Sequence, residues 1–200
     1  MTLPMRDEEY KEYIVVNAVD QQPKAEKHLP EASIDKKILE RIEKLPEALL
    51  EALDDWILVP DAKLIPKLME LSKAIAPLYG KQSLKLLRGF GGAPEYQDTM
   101  GLEFESGFWR RGLKAKIGDE FKYANERPLS MTTDLDIAAA FGDNVVRTTQ
   151  EIKMFDNNLP ITSELSYIVS KRRNLGETKT QKEVVLFPGE YTFYIVQKKR

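Results

Sequence analysis

The stretch LIPKLMELSKAIAPLYGKQSLKLLRGF, residues 64–90, changes its periodicity once, and that change divides the chain. Leu64, Leu68, Leu71, Ile75 and Leu78 step by 4, 3, 4 and 3, the spacing of one helix face, until Pro77-Leu78-Tyr79-Gly80 stops the pattern. Residues 84–90 then read as a β-strand running into a turn marked by Gly89, Gly91 and Gly92. Toward the N-terminus, Leu49, Leu50, Leu53 and Trp56 predict a second, shorter helix. Ile34, Ile38, Ile42 and Leu45 predict another of about three turns, with Ser33 as N-cap and Asp35 in its first turn, interrupted by Pro46. Residues 33–80 are therefore expected to be helical. Toward the C-terminus the pattern is of short β-type runs at 121–123, 144–152, 165–169, 183–187 and 191–196. One helix interrupts them at 134–141, with Ile137, Ala140 and Phe141 facing inward. A helical half followed by a strand-rich half, with no repeat of 20–50 residues, predicts an α+β fold and not a doubly wound parallel sheet.

Two hundred residues, 42% apolar and 31% charged, suit one domain with a sizeable core. Residues 1–32 combine the short run Tyr13-Ile14-Val15-Val16 with a polar connector at 20–32 and read as an extension; residues 33–200 read as the single domain. No apolar run exceeds five residues, so a membrane-spanning helix of about 20 is not expected. The polar start MTLPMRDEEYKEY has no signal-peptide core, and the expectation is a cytoplasmic protein of the producing, host or target cell. With no cysteine and His28 as the one histidine, disulfides, thiolate nucleophiles, Cys-containing zinc sites and His clusters are excluded. Thirty basic and 32 acidic side chains give a net charge of −2, which predicts no general polyanion-binding surface. Lys171-Arg172-Arg173 and Lys198-Lys199-Arg200 read as solvated charge, or as contacts to an acidic protein or nucleic acid.

Three short elements in the strand-rich half carry chemistry. In Leu86-Leu87-Arg88-Gly89-Phe90, an arginine stands inside an apolar strand and needs an anionic partner or a route to solvent, because it stays charged. Gly89 beside it would let a ligand approach the backbone closely. In the segment from Pro128 to Gly142, a strand bearing Ser130 and Thr132 leads into a helix opened by Asp134 and Asp136 and closed at Phe141-Gly142. Helix capping explains Thr132 or Thr133 but leaves Ser130 without a reason. In Thr180-Gln181-Lys182-Glu183-Val184-Val185-Leu186-Phe187-Pro188-Gly189, strand alternation would place Gln181 and Glu183 on one face, with Val184 and Leu186 on the other.

The order Arg, then Ser-x-Thr before a helix ending in Phe-Gly, then Gln-x-Glu opening an apolar strand, resembles the mono-ADP-ribosyltransferases of the Arg/Ser-Thr-Ser/Glu-x-Glu group. That group includes clostridial binary and Rho-modifying toxins and phage enzymes acting on host proteins. Ser130 to Phe141 covers the twelve positions that the family uses from its first serine to its nicotinamide-loop phenylalanine, and the resemblance runs from about residue 64 to 196. It implies a mixed, mostly antiparallel two-sheet core around an NAD cleft, with NAD as ADP-ribose donor and no metal. It also implies roles. Glu183 accepts the ribose 2′-hydroxyl and stabilises the sugar cation, Ser130 holds Glu183, and Thr132 supports that corner. Arg88 grips the phosphates, Gly89 offers its backbone to the nicotinamide amide, Phe141 packs on the nicotinamide or ribose, and Gln181 faces the target.

This chain departs from the family in four places. Gln181 replaces the Glu of arginine-modifying members and disfavours arginine as acceptor. The loop 176–180 lacks the aromatic that several relatives turn toward their target. Asn144 stands where many relatives carry a phosphate-binding Arg, for which Arg147 is the nearest substitute, and Met131 fills the middle position of Ser-Thr-Ser. Other readings are an NAD glycohydrolase, a transferase acting on nucleic acid, or an inactive interaction module of the same fold. Asp134-Leu135-Asp136 imitates the metal clamp of sugar-nucleotide transferases, although helix-start acids account for it. Glu103-Phe104-Glu105 also offers two carboxylates on one strand face, read here as a solvated face.

Overall fold

The fold is seen in a computed structural model of the chain that describes residues 34–90, 120–125, 128–141, 144–173 and 182–197. The N-terminal extension, Glu103, Glu105, the loop 176–180 and Gln181 lie outside the described residues. The architecture is α+β. Helices α1 (Lys36–Glu43), α2 (Glu47–Leu58) and α3 (Ile65–Ile75) come first, then strands β1 (Ser83–Leu84), β2 (Leu87–Phe90), β3 (Glu120–Asn125) and β4 (Leu129–Thr132). Helix α4 (Leu135–Phe141), strands β5 (Asn144–Thr148), β6 (Ile152–Lys153) and β7 (Asn158–Pro160), helix α5 (Ser163–Arg172) and strands β8 (Glu183–Leu186) and β9 (Gly189–Gln197) complete it. Among the described residues no helix is long and apolar enough to cross a membrane.

Helix α1 is shorter than its periodicity suggests. Asp35 caps it, its Oδ1 accepting from Lys37 N at 2.9 Å and Ile38 N at 3.3 Å, so eight residues make about two turns before Lys44 and Pro46 end the run. Helices this short do not stand alone in water. They are held by burial: Ile42, Leu49, Leu50, Leu53, Trp56, Leu68, Leu71 and Ile75 form one core with Leu159, Ile161, Leu165, Ile168, Val169, Val185 and Phe187. Each fully buried aliphatic side chain contributes about 2 kcal/mol, more than capping or propensity supplies per residue.

Residues 165–169, expected as a strand, lie within α5. Leu165, Ile168 and Val169 are buried at i, i+3 and i+4 while Tyr167 is 42% exposed, whereas strand alternation would bury Leu165, Tyr167 and Val169 together. Thr162 starts the helix by accepting from Leu165 N. At its other end Arg172 clamps α2, Nη2 to Glu47 Oε1 at 2.5 Å and Nε to Asp54 Oδ2 at 2.7 Å, and Lys171 reaches Glu43 of α1 at 3.6 Å. These basic residues, read from sequence as solvated charge or contacts to a partner, tie the helices to one another.

Among the described residues, seven strands form one sheet in the order β3-β9-β5-β2-β4-β8-β7, and β1 pairs with β6 in a second, two-stranded sheet. Every described pair is antiparallel, in line with the mostly antiparallel core expected, and none of the described pairs is parallel. The strand expected over 84–90 is split between β1 and β2, and that over 144–152 between β5 and β6. On one sheet face Leu86, Leu129, Met131, Val146, Val184, Leu186, Phe193 and Ile195 pack with Leu84 and Met154. Met131 thus turns into the core. On the other face, helices α1–α3 and α5 cover Val185 and Leu159, and α4 covers Leu87, Val145, Tyr194 and Val196. Helix α4 docks through Leu135, Ala138 and Ala139, not through Ile137, Ala140 and Phe141 as the sequence suggested; Phe141 is 60% exposed. The register between β2 and β4 is the pair Leu87↔Thr132, so the sheet's four-stranded and three-stranded parts are joined at one point.

Candidate functional site

The site forms at that join. Strand β4 pairs with β8 through Leu129↔Leu186, Ser130↔Val185, Met131↔Val184 and Thr132↔Glu183. Alternation then puts Ser130, Thr132, Glu183 and Val185 on the helix-covered face, between the α1–α3 bundle and α4. There Ser130 Oγ donates to Glu183 Oε1 at 2.8 Å. Beyond Leu87, β2 leaves β4, and the half-buried Arg88 spans the divergence, donating from Nη1 to the Ser130 carbonyl at 2.8 Å. The arginine thus replaces a ladder bond that the splayed strands no longer make. Arg88, Ser130 and Glu183, from three strands and distant parts of the chain, form one hydrogen-bonded series.

A fourth member comes from the helical half. Trp56 of α2, 3% exposed, donates its indole Nε1–H to the same Glu183 Oε1 at 3.4 Å. The other oxygen, Oε2, accepts no hydrogen bond from any described residue. Nothing in the sequence marks Trp56 as more than a core position of an amphipathic helix. Its pairing with Glu183 spans 127 residues and is invisible to local spacing.

The entrance to β8 is fixed by a contact that sequence reasoning missed. Lys182 adopts φ 48°, a left-handed conformation, and its Nζ meets Asp134 Oδ2 at 3.0 Å. Asp134 Oδ1 meanwhile accepts from Asp136 N at 2.9 Å and Ile137 N at 3.3 Å, capping α4. Both oxygens of Asp134 are therefore engaged within the fold, which accounts for it without a metal.

Burial works to raise the Asp134 pKa, but the Lys182 ammonium and the two backbone N–H groups prevail and hold it below its ordinary 3.8. A folded-state pKa lowered in this way gives stability that is fully present above the unfolded value and is lost as pH falls through the folded one. Asp134→Asn keeps a capping side chain but removes the charge. Its unfolding free energy, followed by urea titration, is expected to fall less steeply than wild type below about pH 4; an unchanged acid limb would show that the pair contributes nothing.

Thr132 is buried beside Glu183, and its Oγ1 accepts from Asp134 N at 3.2 Å. Gly89 lies under α4: a β-carbon there would stand 1.6 Å from the Ala138 carbonyl oxygen, so the helix backbone fills the space that the sequence reading assigned to a ligand. The exposed Phe141 ends α4. Arg147 is 2% exposed, donates to the Tyr194 hydroxyl and stacks 4.8 Å from that ring's centre. Burial pushes its pKa down to about 10, which leaves it charged at neutral pH. Cross-strand pairing places Arg147, Leu87, Thr132 and Glu183 in one row, so Arg147 stands three strands from Glu183, on the order of 14 Å at about 4.8 Å per strand. It is not part of the Arg88–Ser130–Glu183 series.

No protein family, curated protein or solved structure matches the chain.

Proposed function

We propose that the chain is a mono-ADP-ribosyltransferase, with an ADP-ribosyltransferase-like fold, that transfers ADP-ribose from NAD to a macromolecular target, a protein side chain first among them. The observation that carries the reading is the Ser130 Oγ to Glu183 Oε1 hydrogen bond, on a serine whose backbone carbonyl accepts from the Arg88 guanidinium. The reaction breaks the bond between the ribose anomeric carbon and the pyridinium nitrogen. The bonding pair leaves with neutral nicotinamide, and positive charge develops on the sugar. A half-buried carboxylate held on one oxygen, with no described donor on the other, suits the ribose 2′-hydroxyl and that cation. Arg88 supplies the charge for a pyrophosphate, and the ring of Phe141 offers a surface for nicotinamide or ribose. The acceptor nucleophile then bonds to the anomeric carbon and gives up its proton.

The test is incubation of the protein with NAD labelled in its adenylate half and a cell extract. Label on a discrete macromolecule supports transfer, and protease or nuclease sensitivity tells protein from nucleic acid. NAD consumption without label replaces the reading with glycohydrolysis, and intact NAD overturns it. Mass spectrometry of the labelled product fixes the acceptor atom, with arginine the less expected because Gln181 stands where arginine-modifying relatives carry Glu.

A further inference from the structure

We propose that Trp56 is a positioning residue for Glu183, its indole N–H deciding which carboxylate oxygen is held and which faces the sugar. The inference rests on the transferase reading above. Ser130 alone cannot set the carboxylate, because a hydroxyl swings about its Cβ–Oγ bond and serves many orientations. An indole nitrogen is a donor only, in a rigid ring, and that of Trp56 is buried in the helical core. A buried donor must find an acceptor, and the acceptor here is Glu183 Oε1. Both donors converge on one oxygen, which holds Oε1 in place and leaves Oε2 without a described donor.

The placement is tied at both ends. Strand β8 pairs with β7 through Leu159↔Val185, the chain continues from β7 through Thr162 into α5, and Arg172 of α5 grips Glu47 and Asp54 of α2, two residues before Trp56. The helix bearing the indole is thus fastened to α5, the helix that follows the neighbour of the strand bearing the carboxylate.

Trp56→Phe keeps an aromatic ring in the core and removes the N–H. Its expected effect is about a tenfold loss of kcat with KM for NAD within about twofold, since a mis-set carboxylate matters where charge develops and little in ground-state binding. A merely structural role would lower thermal stability and leave the kcat of the folded fraction intact. A second measurement does not depend on that variant folding. The chain has two tryptophans, Trp56 and Trp109, and therefore two indole N–H resonances in a 15N-correlated proton spectrum. Glu183→Gln is expected to move one of them upfield, the one that Trp109→Phe leaves in place. A Trp56 resonance unmoved by Glu183→Gln, or wild-type kcat in Trp56→Phe, overturns the proposal. A resonance that moves in a protein that never turns over NAD overturns the transferase reading and the positioning role with it, while the contact stands.

Discussion

Glu183→Gln is expected to lower ADP-ribosyl transfer by a factor of about 10³ or more while changing NAD affinity by less than about threefold. The substitution is close to isosteric, and the neutral amide oxygen can still accept, though more weakly, from Ser130 and Trp56, so the side chain keeps its place. On the transferase reading proposed above, what is lost is the negative charge beside the anomeric carbon. That charge interacts weakly with neutral ribose and strongly with the cation formed as nicotinamide leaves, so its removal falls on the transition state. Single-turnover transfer and calorimetric NAD binding separate the two quantities. A variant that retains a tenth of the activity, or one whose NAD affinity collapses in parallel with its rate, would remove Glu183 from the chemistry. Ser130→Ala gives an intermediate case: the charge remains but one of its two tethers goes, and the loss of rate is expected to be smaller than for Glu183→Gln.

The sequence made the division into helical and strand-rich halves legible because apolar residues recur at helical spacing in the first and gather in short runs in the second. Leu68, Leu71 and Ile75 are buried on α3 as their spacing requires, and Val184, Val185 and Leu186 are all buried on β8, a strand covered on both faces. It misled where two periodicities fit one short run. Leu165 to Val169 satisfies both strand and helix templates, and what decides for the helix is the Thr162 cap and the core beneath Ile168, which are tertiary facts. Strand β7 escaped notice for a related reason: Asn158, at its start, is fully buried, its side chain bonded to the backbone of Lys153, Phe155 and Asp156, and no polar-apolar alternation announces it. In the site, motif order singled out Arg88, Ser130 and Glu183, and the fold brings those three together. Trp56 and the Lys182–Asp134 pair were not legible, since each joins residues far apart in the chain and uses residue types that have an ordinary local explanation.

The second large effect is expected at Gly89. A β-carbon there would lie 1.6 Å from the Ala138 carbonyl oxygen and 2.6 Å from its carbon, both backbone atoms that cannot rotate away. Either β2 or α4 must shift by more than an ångström, and Gly89→Ala should destabilise the protein by about 3 kcal/mol, the upper part of the range for overpacking. For a chain of this size that lowers Tm by roughly 6–12 °C. Gly189→Ala is the control, for its β-carbon would meet the Tyr191 hydroxyl at 3.0 Å and the Asn157 amide at 3.1 Å, ends of side chains that can give way. That cost should stay below about 1 kcal/mol. The comparison decides between two reasons for the glycine. If Gly89 serves close approach of a ligand, its alanine variant keeps its Tm and loses NAD affinity. If it serves α4, Tm falls first, and NAD affinity and turnover decline with it, because α4 is capped by Asp134, whose grip on Lys182 sets the residue next to Glu183. The 1.6 Å approach favours the second outcome, and a melting temperature within about 2 °C of wild type, less than 1 kcal/mol would produce, would show that α4 does not rest on Gly89.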